Sequence, residues 1–181
     1  MKDAFTYCSH AKVNLGLKIL NKRPDGYHNI HSLFIELNLS DELIFSSDKY
    51  FNLTSDGKYS HHFPLDENNL IVKAYYIMHS KLTSVSKEYS IHVNKNIPIG
   101  SGLGGGSSNA ATTLKALNGL WNLNFSKKQL EKHGSSLGAD VPFFINGGFQ
   151  LAEGIGEILS PQNTNVLKNL YFLLIVPPVR V

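Results

Sequence analysis

Gly100-Ser101-Gly102-Leu103-Gly104-Gly105-Gly106 gathers five of the chain's 15 glycines into seven residues, with Ser107 and Ser108 directly after. Just beyond, Ala110, Ala111, Leu114, Leu117, Leu120 and Trp121 fall at the spacing of an amphipathic helix. Backbone this free of side chains is costly to order. What it offers in return is a set of N–H groups able to face one point, hydroxyl donors beside them, and the partial positive charge of a helix N-terminus. A mobile turn is the plain alternative, but a turn has no need to run straight into a helix. The segment predicts an anion site suited to phosphate.

Three phosphate-binding arrangements share this physics. A P-loop ends in Gly-Lys-Ser/Thr, and no Lys follows these glycines. Gly100-x-Gly102-x-x-Gly105 satisfies a dinucleotide fingerprint, yet that unit also needs a second strand closing on an acid about 20 residues later. The corresponding stretch, Asn122 to Gln129, contains no acid. The protein-kinase triplets His-Arg-Asp and Asp-Phe-Gly do not occur.

Around the loop the hydrophobic pattern shifts between two periods. Val13, Leu15, Leu17 and Ile19 alternate with polar or glycine positions, which predicts a half-buried strand. Arg23-Pro24-Asp25-Gly26 predicts a turn. His31 to Asn38 and Glu42 to Ser46 read as two further strands, and Ser46 to Asn68 leaves room for at most a short edge strand. Leu70, Ala74, Ile77, Met78 and Leu82 predict a helix opening at Asn69, and Tyr89, Ile91 and Val93 a strand that enters the glycine loop. Ser126 and Gln129 have capping-box spacing and predict a third helix ending near Gly134 or Gly138. Phe143 to Leu159 is apolar and Gly-interrupted, and its first half fits either strand or helix. Leu170 to Val176 reads as a buried strand halted by Pro177-Pro178. The mixture is an α+β pattern without internal repeats.

At 181 residues, 42% of them hydrophobic and 17% charged, the chain can bury a sizeable core, which excludes a disordered tail. The net charge of +3 is scattered, with only Arg23 and Arg180 as arginines, and does not mark a nucleic-acid surface. Cys8 is the single cysteine, so no disulfide framework is expected, and it reads as a small core residue. The N-terminus lacks the apolar stretch of a signal peptide, and the longest apolar run is far short of a membrane span. A cytoplasmic chain with no membrane and no nucleic-acid partner is the expectation.

Pro98-Ile99-Gly100-Ser101-Gly102-Leu103-Gly104-Gly105-Gly106-Ser107-Ser108-Asn109-Ala110 resembles the central motif of the GHMP kinases, written loosely as Pro-x-x-x-Gly-Leu-Gly-x-Ser-Ser-x-Ala. Three more blocks resemble one branch of that superfamily, in its order. They are Ala11-Lys12-Val13-Asn14-Leu15 with Arg23-Pro24-Asp25-Gly26-Tyr27-His28, then Leu137 to Phe144, then Ala152 to Glu157. The resemblance implies a two-layer α+β fold like that of some ribosomal proteins, with a left-handed βαβ crossover. It implies ATP and Mg²⁺, and phosphorylation of the 2-hydroxyl of a cytidine-diphosphate-linked methylerythritol in non-mevalonate isoprenoid synthesis. Other GHMP kinases of the mevalonate or homoserine type, and a non-catalytic RNA-binding module, are the rival readings. Members of the branch continue for about 100 residues more, one domain's length. Residues 1–181 are therefore expected to form the N-terminal domain, without the C-terminal one, and to expose a surface that favours self-association.

Asp140 lies in an otherwise apolar stretch, where a carboxylate is costly unless partnered, though a turn or N-cap aspartate would also fit. Lys12, read alone, is a surface lysine. The resemblance implies instead that Asp140 is the catalytic base and that Lys12 pairs with it. It further implies ATP contacts by Pro98, Gly100, Ser101, Gly102, Leu103, Gly104, Gly105, Gly106, Ser107, Ser108 and Asn109, and by Lys95, Asn69 and Leu70. Asn14, Tyr27, His28 and Ile155 would meet the phosphoryl acceptor, Tyr27 and His28 sandwiching its cytosine. His28 and His31 have His-x-x-His spacing without a second ligand pair, so no metal site is expected.

Overall fold

The computed structural model describes residues 3–84 and 87–176. Its spine is one long strand. β1 (Ala4–Lys22) pairs antiparallel along β2 (His28–Asp48). On the other side of β2, its first part receives β5 (Phe149–Glu153) and its second part β4 (Glu88–Asn94), both antiparallel. β3 (Leu53–Asp56) is a short edge strand parallel to β4, and β6 (Ile158–Pro161) closes the opposite edge beside β5. β3 and β4 are joined through α1 (Leu70–His79), the one βαβ crossover among the described residues.

The helices collect on one face. α2 (Gly105–Leu120) packs on α1, α3 (Lys127–Ser135) on α4 (Val141–Asn146), and α4 on α2. Alternation along the strands decides what faces them: Phe34, Leu43, Phe45, Ile91 and Val93 point into the helix layer and meet Leu114 and Leu117, all fully buried or nearly so. Burial of one such leucine contributes roughly 1.5–3 kcal/mol, so the α2 face is a principal anchor of the layer. Ile35, Leu37 and Phe149 point the other way, into a smaller cluster with Ala11, Ile97 and Leu103. Local capping fixes the helix starts. Asn69 Oδ1 accepts from Ile71 N at 2.8 Å, and Ser126 with Gln129 forms the expected capping box.

Several expectations need correction. The two strands expected over 31–38 and 42–46 are a single strand, because the break is absorbed as a register shift against β1 between His10 and Lys12. Phe143 to Leu159 contains both candidates, helix α4 and then β5 and β6. Helix α1 stops at His79, short of Leu82. The β1 strand exists, but Leu15, Leu17 and Ile19 are exposed rather than half-buried, since none of the described helices covers this end of the ribbon. Residues 170–176 form no strand: among the described residues no strand pairs with them, and Tyr171, Leu173 and Ile175 are exposed while Leu174 packs on the smaller cluster. An apolar run becomes a strand only where another strand takes up its backbone groups. Pro177-Pro178 lie outside the described residues. Cys8 is exposed, not a core residue.

Candidate active site

β4 ends at Asn94, and the chain then climbs through Ile97 and Pro98 into the glycine loop, which opens α2 at Gly105. Gly100, Gly102 and Gly104 have φ of 68°, 76° and 72°, a region where a side chain is strained, so the glycines are required by the backbone path. Gly104 is required twice over: a Cβ there would stand 2.8 Å from Phe144 Cζ and 3.1 Å from Lys12 Cγ. Leu103 pins the loop, its side chain in the smaller core cluster and its carbonyl accepting from Lys12 N at 2.9 Å. Ser101 Oγ closes the turn by donating to Pro98 O at 2.7 Å. In the first turn of α2 the N–H groups of Gly105, Gly106 and Ser107 have no partner within the helix, and no acidic side chain occupies that turn. They border a cavity of about 350 Å³ whose facing wall is Phe63, Pro64, Asn69 and Leu70. That volume lies within the range of small-ligand sites.

Lys12 is not a surface lysine. Its side chain is 6% exposed, and its Nζ stands 3.2 Å from Asp140 Oδ2, donates to Asn14 Oδ1 at 2.9 Å and lies 4.0 Å over the Phe34 ring. Asp140 occupies the N-cap position of α4, yet its side chain makes no capping hydrogen bond and is 34% exposed. The carboxylate reaches Lys12 across 128 residues of chain and still meets solvent. The segment before Asp140 comes close to one lining residue: a Cβ at Gly138 would sit 3.9 Å from Ser107 Oγ. A carboxylate beside a buried ammonium, next to a row of unsatisfied N–H groups, can take a proton from a hydroxyl and hold the oxyanion that results.

The remaining expected residues divide. Pro98, Gly100 to Ser107, Asn69, Leu70 and Lys95 all border the cavity at the start of α2. Ser108 and Asn109 do not: they lie on the buried side of α2, where Ser9 Oγ of β1 is 2.8 Å from Ser108 Oγ and 2.7 Å from Asn109 Oδ1. The helical turn carries them about 100–200° past Ser107, toward the sheet. Asn69 borders the cavity with its side chain already engaged, accepting from Ile71 N and donating to Pro64 O. Lys95 is likewise engaged, by Asp41. Tyr27 and His28 sit exposed at the tip of the β1–β2 hairpin, and no hydrogen bond or ion pair links them to Lys12, Asn14 or Asp140. Ile155 lies in the β5–β6 turn near them, because Gly154 O accepts from Ile30 N at 2.7 Å. Phe63 and Pro64 carry no sequence signal and were not expected. Among the described residues no group of three His, Cys, Asp or Glu could hold a metal.

The family model for the GHMP kinases N terminal domain matches residues 69–148. The sheet and helix layer give the α+β fold expected for such a domain, and the class the chain is similar to is that of the GHMP kinases. Within that class it resembles 4-diphosphocytidyl-2-C-methyl-D-erythritol kinases. Those of Ruthia magnifica and Hahella chejuensis are 46% and 39% identical over 94% and 99% of this chain, and 58% and 61% of their own length. A crystal structure of 4-(cytidine 5'-diphospho)-2C-methyl-D-erythritol kinase superposes with a TM-score of 0.72 at 37% identity, covering 87% of this chain and 55% of that one. Mevalonate kinase of Methanococcus jannaschii shares the fold, with a TM-score of 0.68 at 15% identity, covering 92% and 59%. The chain thus spans about three-fifths of the curated relatives it matches.

Proposed function

We propose that this chain is the nucleotide-holding and hydroxyl-activating part of a 4-diphosphocytidyl-2-C-methyl-D-erythritol kinase. The observation that carries the reading is the 3.2 Å Lys12–Asp140 pair, formed where β1 is hydrogen-bonded to the glycine loop. ATP fits what the cavity offers: free N–H groups at a helix N-terminus, no competing acid, and an apolar facing wall for a base. The N–H groups of Gly105, Gly106 and Ser107 hold the phosphates. Asp140 accepts the proton of the substrate's 2-hydroxyl as its oxygen bonds the γ-phosphorus and the bond to ADP breaks, and Lys12 neutralises the alkoxide. Mg²⁺ arriving with the nucleotide would supply further charge neutralisation, and Asp140 is the carboxylate of this site that could face it.

The acceptor site is assigned to Asn14, which shares the Lys12 ammonium with Asp140, and to Tyr27, His28 and Ile155 at the hairpin end. Residues 1–181 are read as the N-terminal domain, with the further length found in the relatives supplying the opposite wall. Binding energy used for alignment is lost without that wall. The 181 residues alone are therefore expected to bind ATP weakly and turn over only in trace amounts. A chimaera joining them to the C-terminal two-fifths of the Ruthia magnifica relative tests the reading, assayed with Mg-ATP and either the cytidylated alcohol or mevalonate. Turnover confined to the cytidylated alcohol supports it. Equal turnover of both, or ATP binding by neither protein, overturns it.

A further inference from the structure

We infer that Asp41 and Lys95 form a buried strut that sets the position of the glycine loop, so that Lys95 places the nucleotide site without touching the nucleotide. The inference rests on the nucleotide-site reading above for its consequence and on the following geometry for its existence.

The register of β2 against β4 ends at Glu42 opposite Asn94, which brings the next pair, Asp41 and Lys95, side by side just below the loop. Asp41 is wholly buried and the Lys95 side chain is 3% exposed. The two carboxylate oxygens divide their work. Oδ2 accepts from Lys95 Nζ at 2.5 Å, while Oδ1 accepts from Asn96 N and Ile97 N, each at 2.7 Å. Lys95 Nζ donates in addition to Ile97 O at 2.8 Å. Every polar group of the turn Lys95–Asn96–Ile97 that these two charges can reach is therefore taken, and the chain direction into Pro98 is fixed.

The same ammonium lies beneath the start of α2. A Cβ at Gly105 would stand 3.2 Å from Lys95 Nζ and 3.0 Å from Ile97 Cγ2, so the first turn of the helix rests on this pair with nothing between. Gly105 is one of the three residues whose N–H groups border the cavity. From below, the backbone of Lys95 is held by the β3 side: its N–H donates to Asp56 O at 2.8 Å and its carbonyl accepts from Tyr59 N at 3.1 Å. Burial pushes the Lys95 ammonium below its ordinary range while Asp41 opposes that, as for a charge kept only by its partner. Lys95 borders the cavity, but its charge is committed to Asp41 and Ile97. Two of the three Nζ donors are taken by Asp41 and Ile97, and with the side chain 3% exposed little of the ammonium is left to face a nucleotide.

A strut and a direct contact make opposite demands on Asp41. Asp41→Asn, Lys95→Met and the double variant Asp41→Leu/Lys95→Met are compared in the 181-residue chain by amide hydrogen exchange without ligand and by ATP titration. The double variant leaves no lone buried charge, so it carries the test if a single variant fails to fold. The strut predicts faster exchange at amides 96–106, with those of β5 and β6 unchanged, a selectivity that general destabilisation would not produce. It also predicts that Asp41→Asn and Lys95→Met each weaken ATP binding by roughly tenfold, and that the double variant is no weaker than the worse single one. Lys95→Arg, which keeps the charge, restores part of the affinity. Unchanged loop exchange overturns the strut, as does an Asp41→Asn variant that binds ATP like the parent while Lys95→Met does not. If neither the parent nor the chimaera binds ATP, the nucleotide reading falls, and loop exchange alone still decides whether the strut exists.

Discussion

The two ends of the β1–β2 ribbon are built from similar sequence and finished differently. At the end that carries Lys12, each element is tied to another: β1 to the glycine loop, Lys12 to Asp140, Asp41 to the turn below the loop, and α2 to the sheet. At the hairpin end, Leu17 and Ile19 are 53% and 62% exposed and Tyr27 is 61% exposed. Position along one strand, not composition, separates the two. A buried ion pair requires partners from distant segments, and the described residues supply such pairs at one end only. The first end can therefore hold a charge at a set distance, whereas the second offers apolar surface awaiting cover.

The largest effect should come from breaking the finished end. Asp140→Asn is expected to leave ATP affinity nearly unchanged and to lower kcat by about 10²–10⁴-fold, the usual loss for a positioned base. Normal kcat in the chimaera described above would remove Asp140 from that role and leave its ion pair as structure alone. Next comes a contrast within the loop. Gly102 and Gly104 share the same positive φ, but a Cβ at Gly102 meets nothing within 4 Å, whereas one at Gly104 meets Phe144 and Lys12. Gly102→Ala should cost only the left-handed strain, about 1–2 kcal/mol in thermal or denaturant unfolding. Gly104→Ala should add overpacking of roughly 1–3 kcal/mol and weaken ATP binding further. Equal losses at the two positions would mean that the packing under Gly104 yields freely.

The same contrast explains what could be read from sequence. The capping box of α3, the β4 alternation and the glycine loop are local signals, each complete within a dozen residues, and each appears in the fold. Lys12 looked like a surface residue because its partner lies on α4 and its floor, Phe34, on the neighbouring strand. Ser40-Asp41 looked like a gap between strands because a polar pair usually marks one, yet Asp41 is buried through Lys95. Ser108 and Asn109 were grouped with the loop through the motif that resembles the GHMP kinases, but rotation around α2 turns them to Ser9. Periodicity states which faces are apolar and cannot say what will cover them, so the exposure of Leu17 and Ile19 was illegible for the same reason.

At the hairpin end the expected effects are on recognition and not on folding. Tyr27→Ala and His28→Ala should leave unfolding free energy within about 0.5 kcal/mol, as for exposed positions without a special role. In the chimaera they should raise KM for the cytidylated alcohol by roughly 5- to 150-fold, the span of about 1–3 kcal/mol for lost base stacking, and leave KM for ATP alone. A matching rise in both constants would show that the turn supports the whole site, which would erase the division between the two ends.

The smallest effect probes whether the hairpin end is open at all. Ile19→Lys replaces an exposed apolar side chain on a strand whose backbone is already paired with β2 at Ile30, so the ladder is untouched and no cavity forms. Stability should change by no more than about 0.5 kcal/mol. Sedimentation of the 181-residue chain should meanwhile show less self-association, because a charge now interrupts the patch that includes Leu17. Leu114→Ala, on the covered face of α2, is the control and should cost about 2–5 kcal/mol. If Ile19→Lys destabilises as strongly as that control, the residue is packed in solution and the apolar end is already closed. If it changes neither stability nor self-association, the patch is open but does not bind its own copy, and the cover must come from another segment.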